Sequence, residues 1–529
     1  MCTTFDLEFM RKVSFNYRQL IYLPILFLIA INLLLTPHFS PTWDFPYHYI
    51  AGLYRLGEAQ APVFNVYAPY GVFSEIVPIF FSRLFPTSWF PSSYLLYIVL
   101  AGTLGVVYFF RFVKAAYGDK IALLSTITLL LLPRFIGHLH TNIKDLPTAS
   151  FIIITSYYFY QYLMEKNKKS AILAVIFYTF AVNTKFTILQ LYPVYLLWMI
   201  FHYRKKFISK SLEPISKLSI TRERVGDARR GAPKTGFPCG CFWGCRAAGP
   251  SEKAVLIPVL IFLSSLIIVP LLVWALYCLG YFSQLLSTYS GIYKSLSLIN
   301  PFSYSYAIKQ FFITTPIPIL VFFPFGLFVL FKKIIKEHHS PSFFFLLLFV
   351  YTLFKYPLLR FPVIDDIRYF IEIYFPLSLA FVLGVNLIAK KYALFIYAGV
   401  FIFLSFVLIH LHPYQINYFN LLAPEGRDGD FWAASYKEVF AYINASTPKE
   451  AIVAAPLAPE LAGMYIRADL AKNLNALPPE KSDVVVILNR PSSFRLWKLE
   501  DFYNTHRPQK IVTDPTGNPL SFIYFNTKP

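Results

Sequence analysis

The chain has 529 residues, of which 56% are hydrophobic and 19% aromatic, while only 14% are charged. Ordinary soluble domains carry about 25% charged residues, so this composition excludes a soluble globular protein. The formal net charge of +20 raises nucleic acid as a partner, but the placement of the basic residues excludes that reading too.

Apolar runs approaching the roughly 20 residues of a membrane helix recur along the chain. They predict spans near 20–36, 92–112, 120–133, 146–164, 170–184, 186–201, 254–280, 311–331, 342–358, 369–388 and 392–411, about eleven in all. The first run has no small-residue cleavage site after it, so it reads as a span and not as a removable signal peptide. The runs 120–133 and 170–184 are short, and a re-entrant segment fits one of them. With the N-terminus cytoplasmic, the basic residues collect on the cytoplasmic side: Arg11, Lys12 and Arg18; Arg111, Lys114 and Lys120; Lys166, Lys168 and Lys169; the 202–253 loop; Lys332, Lys333 and Lys336; Lys390 and Lys391. This is the positive-inside pattern, so the basic excess reports topology. No nucleic-acid partner is expected. "TWDFPYHY" (42–49), "IGHLHTNIKDLPT" (136–148) and everything after residue 412 then fall on the outer face.

The loop 202–253 carries an Arg/Gly/Ala-rich stretch, 220–252, unlike the rest of the chain. It reads as a disordered basic loop, an insertion or a reading-frame anomaly. Its Cys239, Cys241 and Cys245 fall short of the four ligands of a structural zinc site. Cys2 and Cys278 are isolated, so no disulfide framework is expected. Residues 412–529 change character. Short runs at 451–455, 484–488 and 510–514 read as strands, and "SYKEVFAYIN" (435–444) has helical spacing. The chain therefore divides into a membrane domain, 1–411, and a small extracytoplasmic α/β domain, 412–529.

Ionisable residues at span boundaries are the functional candidates. Asp44 follows the first span among Trp43, Phe45, Pro46 and Tyr47, and a carboxylate there suits a general base; capping the next helix explains it equally well. His48 lies four residues on, on the same helix face. Asp145 opens the fourth span beside His138, His140, Asn142 and Lys144; capping again competes. Arg134, Lys185, Arg360 and Arg368 lie at outer span ends and suit a phosphate, or simply snorkel to headgroups. Asp365 and Asp366 are placed to pair with Arg360 or Arg368. No P-loop or GxGxxG motif is present. No cofactor is demanded, and a divalent cation near Asp44, His48, Asp145 and His138 stays open.

Several stretches, in order, resemble one family: "WDFPYHYIAGLYRLG", "PRFIGHLHTNIKDLPTASF", "NTKFTILQLYPVYLL", "RYFIEIYFPLSLAFVLGV" and "HPYQINYFNLLAPEGRDGDFWAASYKEVFAYIN". The chain is similar to multi-span glycosyltransferases of the C superfamily (GT-C), in particular glycosyltransferase family 39, the dolichyl-phosphate-mannose–protein mannosyltransferase-like enzymes. The resemblance implies a GT-C-like α-helical polytopic membrane protein in the cytoplasmic membrane. It implies inverting transfer of a sugar from a polyprenyl-phosphate donor to a protein, lipid or glycan acceptor at the outer face. Asp44 matches the family's first-loop aspartate, the base on the acceptor; Asp145 matches the second-loop acidic residue. His48, His138, Lys144, Lys185, Arg360 and Arg368 become candidates for binding substrate. Members commonly place glutamate after the first aspartate, where this chain has Phe45. A transporter or flippase of polyprenyl-linked glycans, and a ligase moving whole glycans, are the other readings. No internal repeat of the kind transporters carry is visible, which favours the enzyme.

Overall fold

A computed structural model describes residues 22–59, 71–204, 252–278, 294, 303–358, 363 and 366–526. The expectations for the 220–252 stretch, its three cysteines, Arg360 and Asp365 lie outside the described residues.

The membrane part is an α-helical bundle. Its helices are α1 (Leu23–Leu35), α2 (Asp44–Arg55), α3 (Val72–Ser82), α4 (Ser92–Tyr117), α5 (Asp119–Leu131), α6 (Pro133–Thr141), α7 (Asp145–Glu165) and α8 (Lys168–Val182). Next come α9 (Phe186–Arg204), α10 (Glu252–Cys278), α11 (Tyr306–Thr314), α12 (Ile317–Glu337), α13 (Ser340–Leu358), α14 (Asp366–Ile388) and α15 (Ala393–His410). Among the described residues seven helices are long and apolar enough to cross a membrane, eight if α5 and α6 count as one bent span. This is fewer than the eleven expected. Helix α7 has the length, but it is buried along its course with Thr148, Ser150, Thr155 and Ser156 inside. Ser150, Thr155 and Ser156 donate to carbonyls four residues back, which satisfies a hydroxyl where water is absent.

Two breaks interrupt the expected spans. The run expected at 120–133 ends at Leu132, whose extended backbone precedes Pro133, and the chain bends by 68° into α6. A residue before proline avoids the helical region, so the bend is written locally. The run expected at 311–331 is split at Thr315–Pro316, by the same rule, into α11 and α12. Helix α2 begins at Asp44, where a helix was weighed, while α3 was not expected; both carry charges and prolines, and neither is long enough to span.

Helices α12 and α14 touch backbone to backbone. A Cβ on Gly326 would lie 1.7 Å from the Ala380 carbonyl oxygen, and one on Gly384 would lie 1.9 Å from that of Phe322. Small residues let membrane helices approach this closely. Gly326→Val is therefore expected to lower the melting temperature of the purified protein, with a cost of roughly 1–3 kcal/mol or more.

The C-terminal domain holds one four-stranded sheet: β1 (Val453–Ala454), β2 (Val484–Leu488), β3 (Lys510–Thr513) and β4 (Pro519–Phe525), in the order β1-β2-β4-β3. β1 and β2 are parallel; β4 is antiparallel to both β2 and β3. Every residue of β2 is buried, as its uninterrupted apolar run requires. The β3–β4 turn is held by Asp514, which accepts from the backbone N–H groups of Thr516 and Asn518, with Gly517 at φ +88°. The three short runs read as strands are strands, and helix α16 (Tyr436–Ser446) covers the 435–444 pattern. β4 was not foreseen. Asn444, in a glycosylation-acceptor triplet, has both amide atoms engaged, donating to the Tyr465 carbonyl and accepting from the Arg467 N–H.

Candidate functional site

The site lies where α2, α6, α7 and α14 meet the C-terminal domain. Three bonds seat the start of α2 and the segment before it: the Thr42 hydroxyl donates to the Thr141 carbonyl (3.1 Å), the Trp43 N–H to the Trp432 carbonyl (2.9 Å), and the Tyr47 hydroxyl to Glu460 (2.7 Å). Asp44 then stands in the first turn of α2. Its side chain makes no cap. Oδ2 instead receives Lys144 Nζ at 2.9 Å and Arg368 Nη1 at 2.8 Å.

Asp145 opens α7, and it too is not the cap: the Asn142 side chain accepts the Asp145 N–H at 2.8 Å. That leaves the Asp145 carboxylate for Lys185, to which Oδ1 is ion-paired. Asp145 Oδ2 is buried with no hydrogen-bond partner among the described residues. Lys185 also lies over the Tyr369 ring, 4.5 Å from its centroid.

A third ion pair was not foreseen. Lys355 Nζ lies 3.1 Å from each carboxylate oxygen of Glu372, and both side chains are buried. Lys355 sits inside an apolar run at the end of α13, and Glu372 inside the "RYFIEIYF" run. A charged residue surrounded by aromatics in a span was the available signal. These pairs meet around one small cavity of about 10 Å³, lined among others by Asp145, Thr148, Lys185, Lys355, Arg368 and Glu372. That is room for about one water molecule.

The C-terminal domain closes the other side. The Arg368 guanidinium lies 5.1 Å from the Trp432 ring, and the Trp432 ring meets His138 edge-on at 5.7 Å. Arg490 lies over Trp43 at 4.8 Å. Trp432 was another residue sequence reading missed, because its role depends on the docking of a separate domain.

Of the sequence candidates, Asp44, Lys144 and Arg368 are in direct contact, and Asp145 and Lys185 form the adjoining pair. His48 is buried on α2, and its charge state is influenced by Lys144, Asp44, Asp145 and Arg368. His138 is buried and bonds Asn142 through Nδ1 at 3.2 Å. Asp366 pairs with Arg134, and Arg368 goes to Asp44; the expected alternative of Arg360 lies outside the described residues. Arg134 is committed further, donating to the Tyr418 and Ile416 carbonyls, so it ties α6 to the chain entering the C-terminal domain. His140 stacks on Phe39 and bonds Asn32, away from the carboxylates.

Burial alone would raise the Asp44 carboxyl, but Lys144 and Arg368 more than offset it and hold it below the usual carboxylate range. Burial and the Lys144 ammonium lower His48 to about 3, so it is neutral. A carboxyl held low in the folded state contributes stability that is complete above its ordinary value and is lost as pH falls through the folded one. The melting-temperature difference between wild type and Asp44→Asn is therefore expected to stay constant from pH 8 to about 5 and to shrink below about 4.

Among the described residues, no three His, Cys, Asp or Glu side chains group as metal ligands. Lys144, Lys185 and Arg368 already stand against the two carboxylates. A divalent cation would be repelled there, so this arrangement does not fit one.

The model of dolichyl-phosphate-mannose-protein mannosyltransferases matches residues 80–218. Among curated proteins no sequence matches the chain. Solved structures align over most of it. One is ArnT from Cupriavidus metallidurans bound to undecaprenyl phosphate, with a TM-score of 0.48 at 10% identity, over 97% of this chain and 98% of that one. Another is the Archaeoglobus fulgidus oligosaccharyltransferase in complex with Zn and sulfate, with a TM-score of 0.45 at 11% identity, over 86% of this chain and 63% of that one.

Proposed function

We propose that the chain is a glycosyltransferase that moves a sugar from a polyprenyl-phosphate donor to a hydroxyl acceptor at the outer membrane face, by single displacement with inversion. The observation that carries this is the charge of the cluster. The carboxylates of Asp44, Asp145 and Glu372 face the cations Lys144, Lys185, Lys355 and Arg368. Among the described residues, and with His48 neutral, the cluster carries one positive charge more than it carries negative. Burying unbalanced charge is costly, and an anionic ligand restores the balance. The match to the mannosyltransferase model over 80–218 supports the same reading, since that segment contains Lys144, Asp145 and Lys185.

A phosphodiester donor departs as a phosphate that is already anionic, so it needs cations more than a general acid. The acceptor hydroxyl does need a base, and Asp44 stands at the edge of the cluster for that role. As the acceptor oxygen bonds the anomeric carbon, the bond from that carbon to the phosphate oxygen breaks. The electron pair leaves with polyprenyl phosphate, and the hydroxyl proton passes to Asp44. One displacement inverts the anomeric centre.

The test is transfer from radiolabelled polyprenyl-phosphate sugars by membranes containing the protein, with the anomer of the product read by NMR. An inverted product supports the reading. A retained anomer removes single displacement, and labelled lipid crossing the bilayer with no transfer puts a transporter in its place.

A further inference from the structure

Arg368 serves two places at once. Its Nη1 lies 2.8 Å from Asp44 Oδ2, and its side chain also lines the cavity shared by Asp145, Lys185, Lys355 and Glu372. Its Nη2 donates to the Tyr369 hydroxyl at 3.1 Å. Lys144 holds the same Asp44 oxygen at 2.9 Å. A carboxylate oxygen held by two cations is a poor proton acceptor, because protonation gives up both attractions. As it stands, the base is masked. The cavity beside it presents Lys185 and Lys355 together with the Thr148 hydroxyl, which is buried and has no hydrogen-bond partner among the described residues. A phosphate drawn toward these groups competes with Asp44 for Arg368, whose planar fork of donors suits carboxylate and phosphate alike.

We propose that Arg368 is shared between Asp44 and the donor phosphate, so that donor entry draws Arg368 away from Asp44 and readies Asp44 to accept the acceptor's proton. This rests on the reading of the donor as a lipid-linked sugar phosphate. It makes the reaction ordered, with the donor before the acceptor. Arg368 stays with the phosphate as the bond to the anomeric carbon breaks. When polyprenyl phosphate leaves, Arg368 returns to Asp44, which releases its proton to water.

The test is binding of a polyprenyl phosphate in detergent micelles to the full-length protein, which requires neither activity nor a known acceptor. Asp44→Asn removes the competitor for Arg368, so this variant is expected to bind the lipid phosphate more tightly, on the order of tenfold, as when a binding-competent state is freed. The gain should vanish in Asp44→Asn combined with Arg368→Gln. Asp44→Ser serves the same comparison if the asparagine variant does not purify as a monodisperse protein. Unchanged or weaker binding in the Asp44 variant overturns the sharing of Arg368 while leaving the donor reading intact. No binding by wild type or any variant overturns the donor reading and this inference together.

Discussion

Asp44→Asn is expected to lower sugar transfer by about 10²–10⁴-fold, the contribution of one general base, while the variant still binds polyprenyl phosphate. Asparagine keeps the shape and the hydrogen-bond acceptor but has no carboxylate to take a proton. Lys144 and Arg368 both lie against Asp44 Oδ2, so the substitution removes one negative charge from an already positive cluster, and an anionic donor is held no less well. The loss should therefore fall on kcat, with KM for the donor lowered. Initial rates over a donor titration check this. A variant with kcat near wild type would remove Asp44 from the chemistry, and a variant with greatly raised donor KM would make it a binding residue instead.

The second large effect concerns stability. Glu372→Ala is expected to destabilise the fold by about 3–5 kcal/mol, because it leaves the Lys355 ammonium buried without its partner. Both residues are buried, and both Glu372 oxygens face Lys355 Nζ at 3.1 Å. The ion pair itself need not be stabilising relative to an apolar pair of similar volume, so Lys355→Met combined with Glu372→Leu should recover most of the loss. Thermal melting of wild type and both variants in detergent separates these contributions. Recovery of fold without recovery of transfer would place Lys355 among the groups that serve the donor phosphate. Full recovery of both would leave the pair a packing feature.

The site was legible in the sequence to the extent that its residues broke a local pattern. Asp44, Asp145 and Lys185 interrupt or border long apolar runs, and each is part of the cluster. Glu372 and Lys355 break the pattern just as clearly, but a lone charge near a span end reads equally well as one reaching for headgroups. Partners were not legible. Asp366 has Arg368 two residues away, yet its ion pair is with Arg134. Asp44 and Arg368 stand 324 positions apart, and nothing local marks them as a pair. Capping was the strongest competing account of both aspartates. It fails because the Asn142 side chain accepts the Asp145 N–H at the start of α7 and the Asp145 carboxylate goes to Lys185, while the Asp44 side chain is drawn to two cations.

Hydropathy and turn chemistry act over a few residues, so the sequence by itself determined that the chain is a helical membrane protein with a small α/β domain at its end. It also determined the strand at 484–488, whereas the breaks before Pro133 and Pro316 were read through as parts of spans. Span number was less secure, because a helix such as α7, covered by its neighbours, can carry hydroxyls that a lipid-facing helix cannot. Only the tertiary structure decided which carboxylate meets which cation, and that Trp432 lies against Arg368 and His138. Electrostatic pairing depends on distance in space, and helices packed side by side bring together charges that the chain order keeps hundreds of residues apart.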